Sequence, residues 1–595
     1  MSDVNTIELK LDEELRKVVG AGRFEYERAM AVTGPMPMAI FNSYVRLIDR
    51  SGVPDQLNEW AALGRKKKSG RKPYMTFRAV LVVELISAVW SKGAQYTEFA
   101  DTLTHRLSPE QFDVLGIKWD QADKDTWLQR HWRAKSRLTK LVDPYYLTQK
   151  RRSLTLEEQV EAEAKRDEGR ANRLRWMRQS LVDASVEKLP QRYRDRYNGD
   201  VAVDSTEVPI LGRMHSKATT LVRNGLALDN PEVVAARKKL RKGGRLTNVD
   251  FSAGTYDHSH REDKPNTPPR PAYEMDIVTM MDTEGYDETR HPAFARLITG
   301  VGFHQPGRIT SEPREAMFQH ARNFPQRGIA AADRAFNGML AENFSQPLRV
   351  DGWEFAYDYR DDQFGLQASV PGLPLIVVDG ALYVEYMPKR LQHITYWFHK
   401  GKPDPETGEL ITEREMRDAI EARKPYAMKR KGDIRDEEQH RGKQRFTYPD
   451  PKTYIAHDPA TDKKMPSTRN GLRGSVQVDP HPDVVRHLQR YPWGSTEWRK
   501  AYGQRNQVES VNKSIKHTRF TDLESAAKRP GRGEAYQSIA TALMAVAYNV
   551  RVLVRALVKE CAPKKRQKRA PRAAFDPRSV KNARPVTTGA LAPPA

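Results

Sequence analysis

Apolar residues recur in two different rhythms along this chain, and the change of rhythm near residue 196 divides it. Before that point the run TFRAVLVVELISAVW leads through SKGAQ into YTEFADTLTHRL, which predicts a helix, a glycine-containing turn and a second, amphipathic helix. The pattern fits a helix-turn-helix that reads DNA, and it fits equally well the core packing of a very apolar helix. The charged stretch LTLEEQVEAEAKRDEGRANRLRWMRQSL predicts an exposed helix. Beyond it the period shortens to that of strands: DVAVDSTEVPIL, YEMDIVTMM and FARLITGVGFH, then a helical EPREAMFQHARNF, then another strand in GIAAADRAF.

Between the first two strands, ARKKLRKGGRLTNVDFSAGTYDHSHREDKPNTPPRP is polar and rich in turn formers and reads as a mobile loop. His258 and His260 within it have no cysteine partners, so solvation is expected of them rather than metal binding. In PLIVVDGALYVEYMP two β-like runs flank Asp379-Gly380, the strongest short hairpin signal in the chain, which makes Asp379 a turn residue. From about 390 to 495 the chain is polar, with Lys429, Arg430, Lys431, Arg435 and Arg441 among aromatic residues and few helical patterns, as expected of an inserted subdomain.

Three strands, a helix and a fourth strand are the opening order of a ribonuclease-H-like core. The expected fold class is therefore α/β, with such a core, a β-containing insertion and a helical N-terminal domain. The expected boundaries are 1–72 for a helical segment and basic linker, 73–195 for a helical DNA-binding domain, and 196–345 for the first part of the core. Residues 346–495 would hold the fifth core strand and the insertion, 496–560 a glutamate-bearing helix and a C-terminal core helix, and 561–595 a disordered basic and proline-rich tail.

Charge sharpens this picture. Among 595 residues, 100 Lys and Arg against 77 Asp and Glu give a net charge of +23, which favours a polyanionic partner, nucleic acid first. One cysteine, Cys561, excludes an internal disulfide and cysteine-based zinc frameworks, and the first residues lack the basic and apolar regions of a secretory signal. A cytoplasmic location and no membrane partner are expected. The apolar stretches Phe77–Trp90 and Ile539–Leu557 carry Glu84 in the first and Asn549, Arg551 and Arg555 in the second, and both read as buried helices.

The most specific chemistry lies in YGQRNQVESVNKSIK. At 100° per residue, Tyr502, Arg505, Glu509, Asn512 and Lys516 share one stripe of a predicted helix, beside an apolar stripe of Ala501, Val508, Val511 and Ile515. By geometry alone Arg505 and Glu509 are an i, i+4 ion pair worth about 0.2 to 0.5 kcal/mol. The spacing Y-x2-R-x3-E-x6-K, however, is similar to the signature of the insertion-sequence-four family of bacterial DDE transposases. Two further points match that family: AVDST presents Asp204 and Thr206 on the first strand, and ADRAF presents Asp333, Arg334 and Phe336 at the end of the fourth. The resemblance spans roughly residues 73 to 558, with strong motifs at these three points and weak similarity between them.

That resemblance implies Asp204, Asp333 and Glu509 as catalytic residues and as ligands of two Mg²⁺ or Mn²⁺ ions, which favour oxygen donors. Tyr502, Arg505, Lys516 and Arg334 would face DNA phosphates, and Trp397 or Trp493 are the candidates for stacking on a flipped base, although a core role suits either. Double-stranded DNA at element ends and target, a homodimer in the DNA complex, and a bacterial, nucleoid-associated setting follow as expectations. Asp200, before the first strand, and Asp276, within the second, read as structural. The rival readings are a non-catalytic DNA-binding descendant of such an enzyme and a structure-specific nuclease of the same fold.

Overall fold

Six strands form the central sheet: β1 (Val201–Pro209), β2 (Gly254–Tyr256), β3 (Arg270–Met280), β4 (Ile298–Val301), β5 (Ile329–Ala332) and β6 (Glu354–Tyr357). Their order is β2-β3-β1-β5-β6, with β4 also paired to β3. β3 runs antiparallel to β1, β2 and β4, whereas β5 runs parallel to both β1 and β6. A computed structural model provides these coordinates and describes residues 35–64, 72–148, 153–239, 250–257, 268–281, 295–308, 310–435, 437–466, 472–517 and 521–561. His258, His260, residues 1–34 of the expected N-terminal segment and residues 562–595 of the expected tail lie outside them.

Among the described residues eight helices longer than a single turn precede the sheet: α1 (Met38–Arg50), α2 (Val53–Leu63), α3 (Phe77–Val89), α4 (Tyr96–His105), α5 (Pro109–Val114), α6 (Lys124–Val142), α7 (Leu156–Ala164) and α8 (Glu168–Val186). α9 (Lys217–Arg223) and α10 (Pro231–Lys238) lie between β1 and β2, α11 (Glu312–Asn323) between β4 and β5, and the single turn α12 (Arg334–Asn337) follows β5. The insertion holds α13 (Lys389–His399) and α14 (Glu413–Ala422), and the chain closes with α15 (Thr496–Gly503), α16 (Asn506–Lys516) and α17 (Glu534–Cys561). The protein is thus mixed α/β.

Strand alternation sorts the sheet's side chains onto two faces. Val201, Val203, Val278, Ala330, Ala332, Phe355 and Tyr357 pack against Ala316 and Met317 of α11. The opposite face, with Ala202, Val208, Met275, Ile277, Ala331 and Ala356, joins the large core built with the N-terminal helices, α16 and α17. Gly300 shows how closely α11 approaches: a Cβ there would stand 2.0 Å from the carbonyl oxygen of Ala316, so only glycine fits. The exposed edge of β4 is closed by α17, whose Asn549 accepts from the Ile298 amide at 2.8 Å and donates to the Ile298 carbonyl at 2.7 Å.

Four expectations are corrected here. The charged stretch 154–181 is not one exposed helix: it breaks between α7 and α8, and α8 buries Leu174, Met177, Leu181 and Val182. Its dense charge hides an apolar stripe, and buried Arg178 is made tolerable by pairing with Glu312 of α11. The stretch from 236 is not all loop, because it begins in α10 and holds β2; Phe251 anchors it by edge-on packing on Tyr145, with ring centroids 5.0 Å apart. The insertion is less poor in helix than expected. It contains α13 and α14 besides a three-stranded sheet of residues 366–369, 375–378 and 381–384 and a second of 429–430, 444–447 and 475–478. The fourth correction concerns the glutamate helix and belongs to the site below.

Asp379-Gly380 does make the hairpin turn, with φ of 42° and 83°, and Asp379 also forms a buried ion pair with Arg423 at 2.5 Å. Twelve of the 13 residues of α3 are buried, so that helix is core and offers no face to a ligand. Among the described residues one helix, within α17, is long and apolar enough to cross a membrane; 61% of its apolar window is buried inside the protein.

Candidate active site

The site starts from strand register. Val203 of β1 pairs with Ala332 of β5, and Ala332 pairs in turn with Tyr357 of β6, all in parallel. The residue after each is an acid: Asp204, Asp333 and Asp358. Neighbouring strands lie about 4.8 Å apart, so these three carboxylates form a row along one edge of the sheet. Alternation puts them with Ala202, Ala331 and Ala356, on the face that α16 covers.

α16 lies across β1 and β3, burying Val508, Val511 and Ile515 against the sheet. The apolar stripe predicted for this segment is the one that packs. The helix itself is not continuous: α15 ends at Gly503, Arg505 occupies the joint, and α16 starts at Asn506. Glycine is a poor helix former and Gly503 marks the break. Tyr502 therefore belongs to one helix and Glu509, Asn512 and Lys516 to the next.

Burial first, then the charges of Asp333 and Glu509, pushes the Asp204 carboxyl up to about 6, with nearby Arg505 working in the opposite sense. The same Arg505 is ion-paired to Glu509 and lies within electrostatic reach of Asp333 as well. One guanidinium thus serves three carboxylates drawn from β1, β5 and α16. Asp204 is further held by the Ser205 amide on Oδ1 at 3.0 Å and by Asn512 Nδ2 on Oδ2 at 2.8 Å. Asp333 also caps α12, accepting from the Arg334 amide at 2.6 Å.

The protein matches no family model and no curated protein sequence. The geometry of the site is accordingly what any functional reading must rest on.

The other expected site residues divide. Tyr502 is brought to the site: its ring stacks on Trp498 with centroids 5.0 Å apart, Arg505 lies 5.7 Å from its centre, and burial first raises its hydroxyl to about 12. Arg334 is exposed beside Asp333. Lys516 is engaged elsewhere, 3.6 Å from Glu207 and 3.9 Å from Glu524. Trp493 reaches the edge of the site, its Nε1 3.4 Å from Asp358 and its ring against Phe364, His399 and Trp498. Trp397 sits on α13 beside His393 and is not brought to the carboxylates.

Two residues gain a place that their motifs did not announce. Asn512 lay on the predicted stripe without a role, and Asp358 directly follows β6 with no motif to mark it; strand register is the signal that finds it. Asp276, expected to be structural, accepts from Ser205 Oγ at 2.6 Å and lies 3.1 Å from His304 Nε2. Burial opposes charge on His304, yet Asp276 outweighs it and holds the imidazole up at about 10. Asp200 ties β1 to β5 by accepting from the Ile329 amide at 2.6 Å.

Among the described residues, no three carboxylate, imidazole or thiol groups converge tightly enough to enclose an ion as the side chains stand. Glu509 is turned to Arg505. The donor set is nevertheless all oxygen, the kind that hard divalent cations favour, and such a cation would offset the burial and, after it, the neighbouring carboxylate charges that disfavour the Asp204 anion.

Proposed function

We propose that this protein is a DNA transposase of the DDE type, catalysing metal-dependent cleavage and strand transfer at the ends of a mobile element. The observation that carries the reading is the Val203 to Ala332 register, which sets Asp204 beside Asp333 under the helix bearing Glu509. Three acids separated by more than a hundred residues each, and singled out by their motifs, meet around one arginine. The strand directions, antiparallel from β4 through β3 to β1 and parallel through β5 to β6, support taking the core as ribonuclease-H-like.

In this reading Asp204, Asp333 and Glu509 would hold two Mg²⁺ or Mn²⁺ ions, which when bound activate the attacking oxygen and stabilise the leaving one. Arg505 releases Glu509 and turns its charge toward a phosphate oxygen, and Tyr502 fixes the guanidinium by stacking beneath it. Asn512 orients Asp204. The partner is double-stranded DNA, engaged by a homodimer, in a bacterial cytoplasm. These assignments rest on the motif resemblance together with the register.

Glu509→Gln tests them directly, because it removes a ligand charge and keeps the shape. The expected outcome is duplex binding within about twofold of the parent and cleavage reduced by three orders of magnitude or more, as for loss of one essential group. Full cleavage by that variant would overturn the assignment. Joining of a 3′-hydroxyl end to a second duplex separates a transposase from a nuclease of the same fold.

A further inference from the structure

α6 carries a face that no part of the catalytic reading uses. From Gln129 to Val142 the helix has five basic residues and no acid. Its inner side, Trp127, His131, Ala134, Lys135, Leu138 and Val142, is buried. Its outer side exposes Trp132, Arg133, Ser136 and Lys140, which fall within an arc of about 100°. Trp132 is 46% exposed, a large aromatic surface left in water among cations.

The rotation of this helix is fixed from below. Lys135 Nζ meets Glu84 Oε2 of α3 at 2.6 Å, with both side chains almost wholly buried. His131, one turn earlier, lies 3.6 Å from the same carboxylate, and burial, then Lys135, holds its imidazole down at about 3, so it stays neutral. Turning the helix by one residue would leave Glu84 buried without its cation, a costly arrangement. The outer face is therefore presented rigidly. It continues past the helix end into Tyr146, whose ring gathers Lys140 Nζ at 5.7 Å and Arg170 at 5.3 Å.

We propose that the outer face of α6 docks into duplex DNA, with Arg133 and Lys140 on phosphates and Trp132 against the groove. The argument is one of charge and shape: a face that from Gln129 onward carries cations and no acid, on a chain of net charge +23, on a helix of the width that the major groove admits. Asp125 shares the angle of this arc but stands two turns earlier, about 10.5 Å along the axis before Trp132, and Asp123 is the N-cap on the opposite side. The inference rests on the reading that this protein acts on DNA, but it concerns binding alone and no catalytic residue.

The test uses the full-length chain and a fluorescein-labelled duplex of mixed sequence, with affinity read by anisotropy over a series of salt concentrations. Arg133→Ala with Lys140→Ala is expected to weaken binding by about tenfold or more and to lower the slope of log affinity against log salt by about two. Trp132→Ala is expected to weaken binding without changing that slope. All three side chains are exposed, so thermal unfolding should be unchanged. Parent affinity in the double variant would overturn the proposal while leaving the transposase reading intact. Failure of the parent chain to bind any duplex, or a preference for single strands or RNA at this face, would overturn it as well, and the first of these would also sink the catalytic reading.

Discussion

Asn512 Nδ2 donates to Asp204 Oδ2 at 2.8 Å, joining α16 to β1 across 308 positions of sequence. Its own Oδ1 is buried without a hydrogen-bond partner, so the side chain is held by Asp204 and by packing alone. Replacing it leaves one carboxylate oxygen of Asp204 free to rotate. Asn512→Ala is expected to reduce cleavage by about tenfold and to raise the Mg²⁺ concentration needed for half-maximal activity, as loss of an orienting partner of a ligand does. Mn²⁺ binding followed by electron paramagnetic resonance checks the same point without turnover; unchanged ion affinity would argue against a positioning role.

Asp204 has a pH signature. Its carboxyl titrates near 6 in the fold against 3.8 when free, because burial, Asp333 and Glu509 disfavour the anion. The folded chain therefore binds this proton more tightly: the group supports folding fully below pH 3.8, and that support is lost as pH rises through about 6. Asp204→Asn, with divalent ions chelated, should be more stable than the parent at pH 8 by on the order of 1 kcal/mol, and no more stable near pH 4. Thermal melts at the two pH values measure it. A variant less stable at pH 8 would mean that Arg505 already compensates the charge.

Arg505 stands as counter-ion to three carboxylates in the absence of a metal. Arg505→Ala is expected to lower the melting temperature by several degrees in chelator, since it leaves like charges facing one another, and Mg²⁺ should restore part of the loss. A deficit that Mg²⁺ does not touch would point to lost packing instead.

Asp358 sits one strand further from Asp204 than Asp333 does. At about 4.8 Å per strand that is roughly 9.6 Å, too far to share an ion with Asp204. Asp358→Asn is expected to keep cleavage within about tenfold of the parent, whereas Asp333→Asn abolishes it. Equal loss in both variants would make Asp358 part of the catalytic set.

The Glu84 and Lys135 pair under α6 offers a test of the helical platform. Lys135→Ala is expected to destabilise by about 3 to 5 kcal/mol, because it strands a buried carboxylate, whereas Glu84→Leu with Lys135→Met should cost far less. Chemical denaturation of both variants decides it.

Periodicity alone placed β1, β3, β4, α11 and β5, because each has one apolar face whose spacing is local, and the turn at Asp379-Gly380 was legible because its φ values demand those residue types. The motifs around Asp204, Asp333 and Glu509 were visible for the same reason: spacing within a few residues is a local property. What only the tertiary structure decided is everything that depends on who neighbours whom. Strand register brought Asp358 into line with Asp333, and the packing of α16 on β1 gave Asn512 its acceptor. Burial of α8 beneath its charges turned a helix expected to be solvated into core, and Lys135 is buried against Glu84, since a long cation becomes tolerable inside once a distant acid meets it. Such pairings join residues far apart along the chain, and no window of sequence contains both partners.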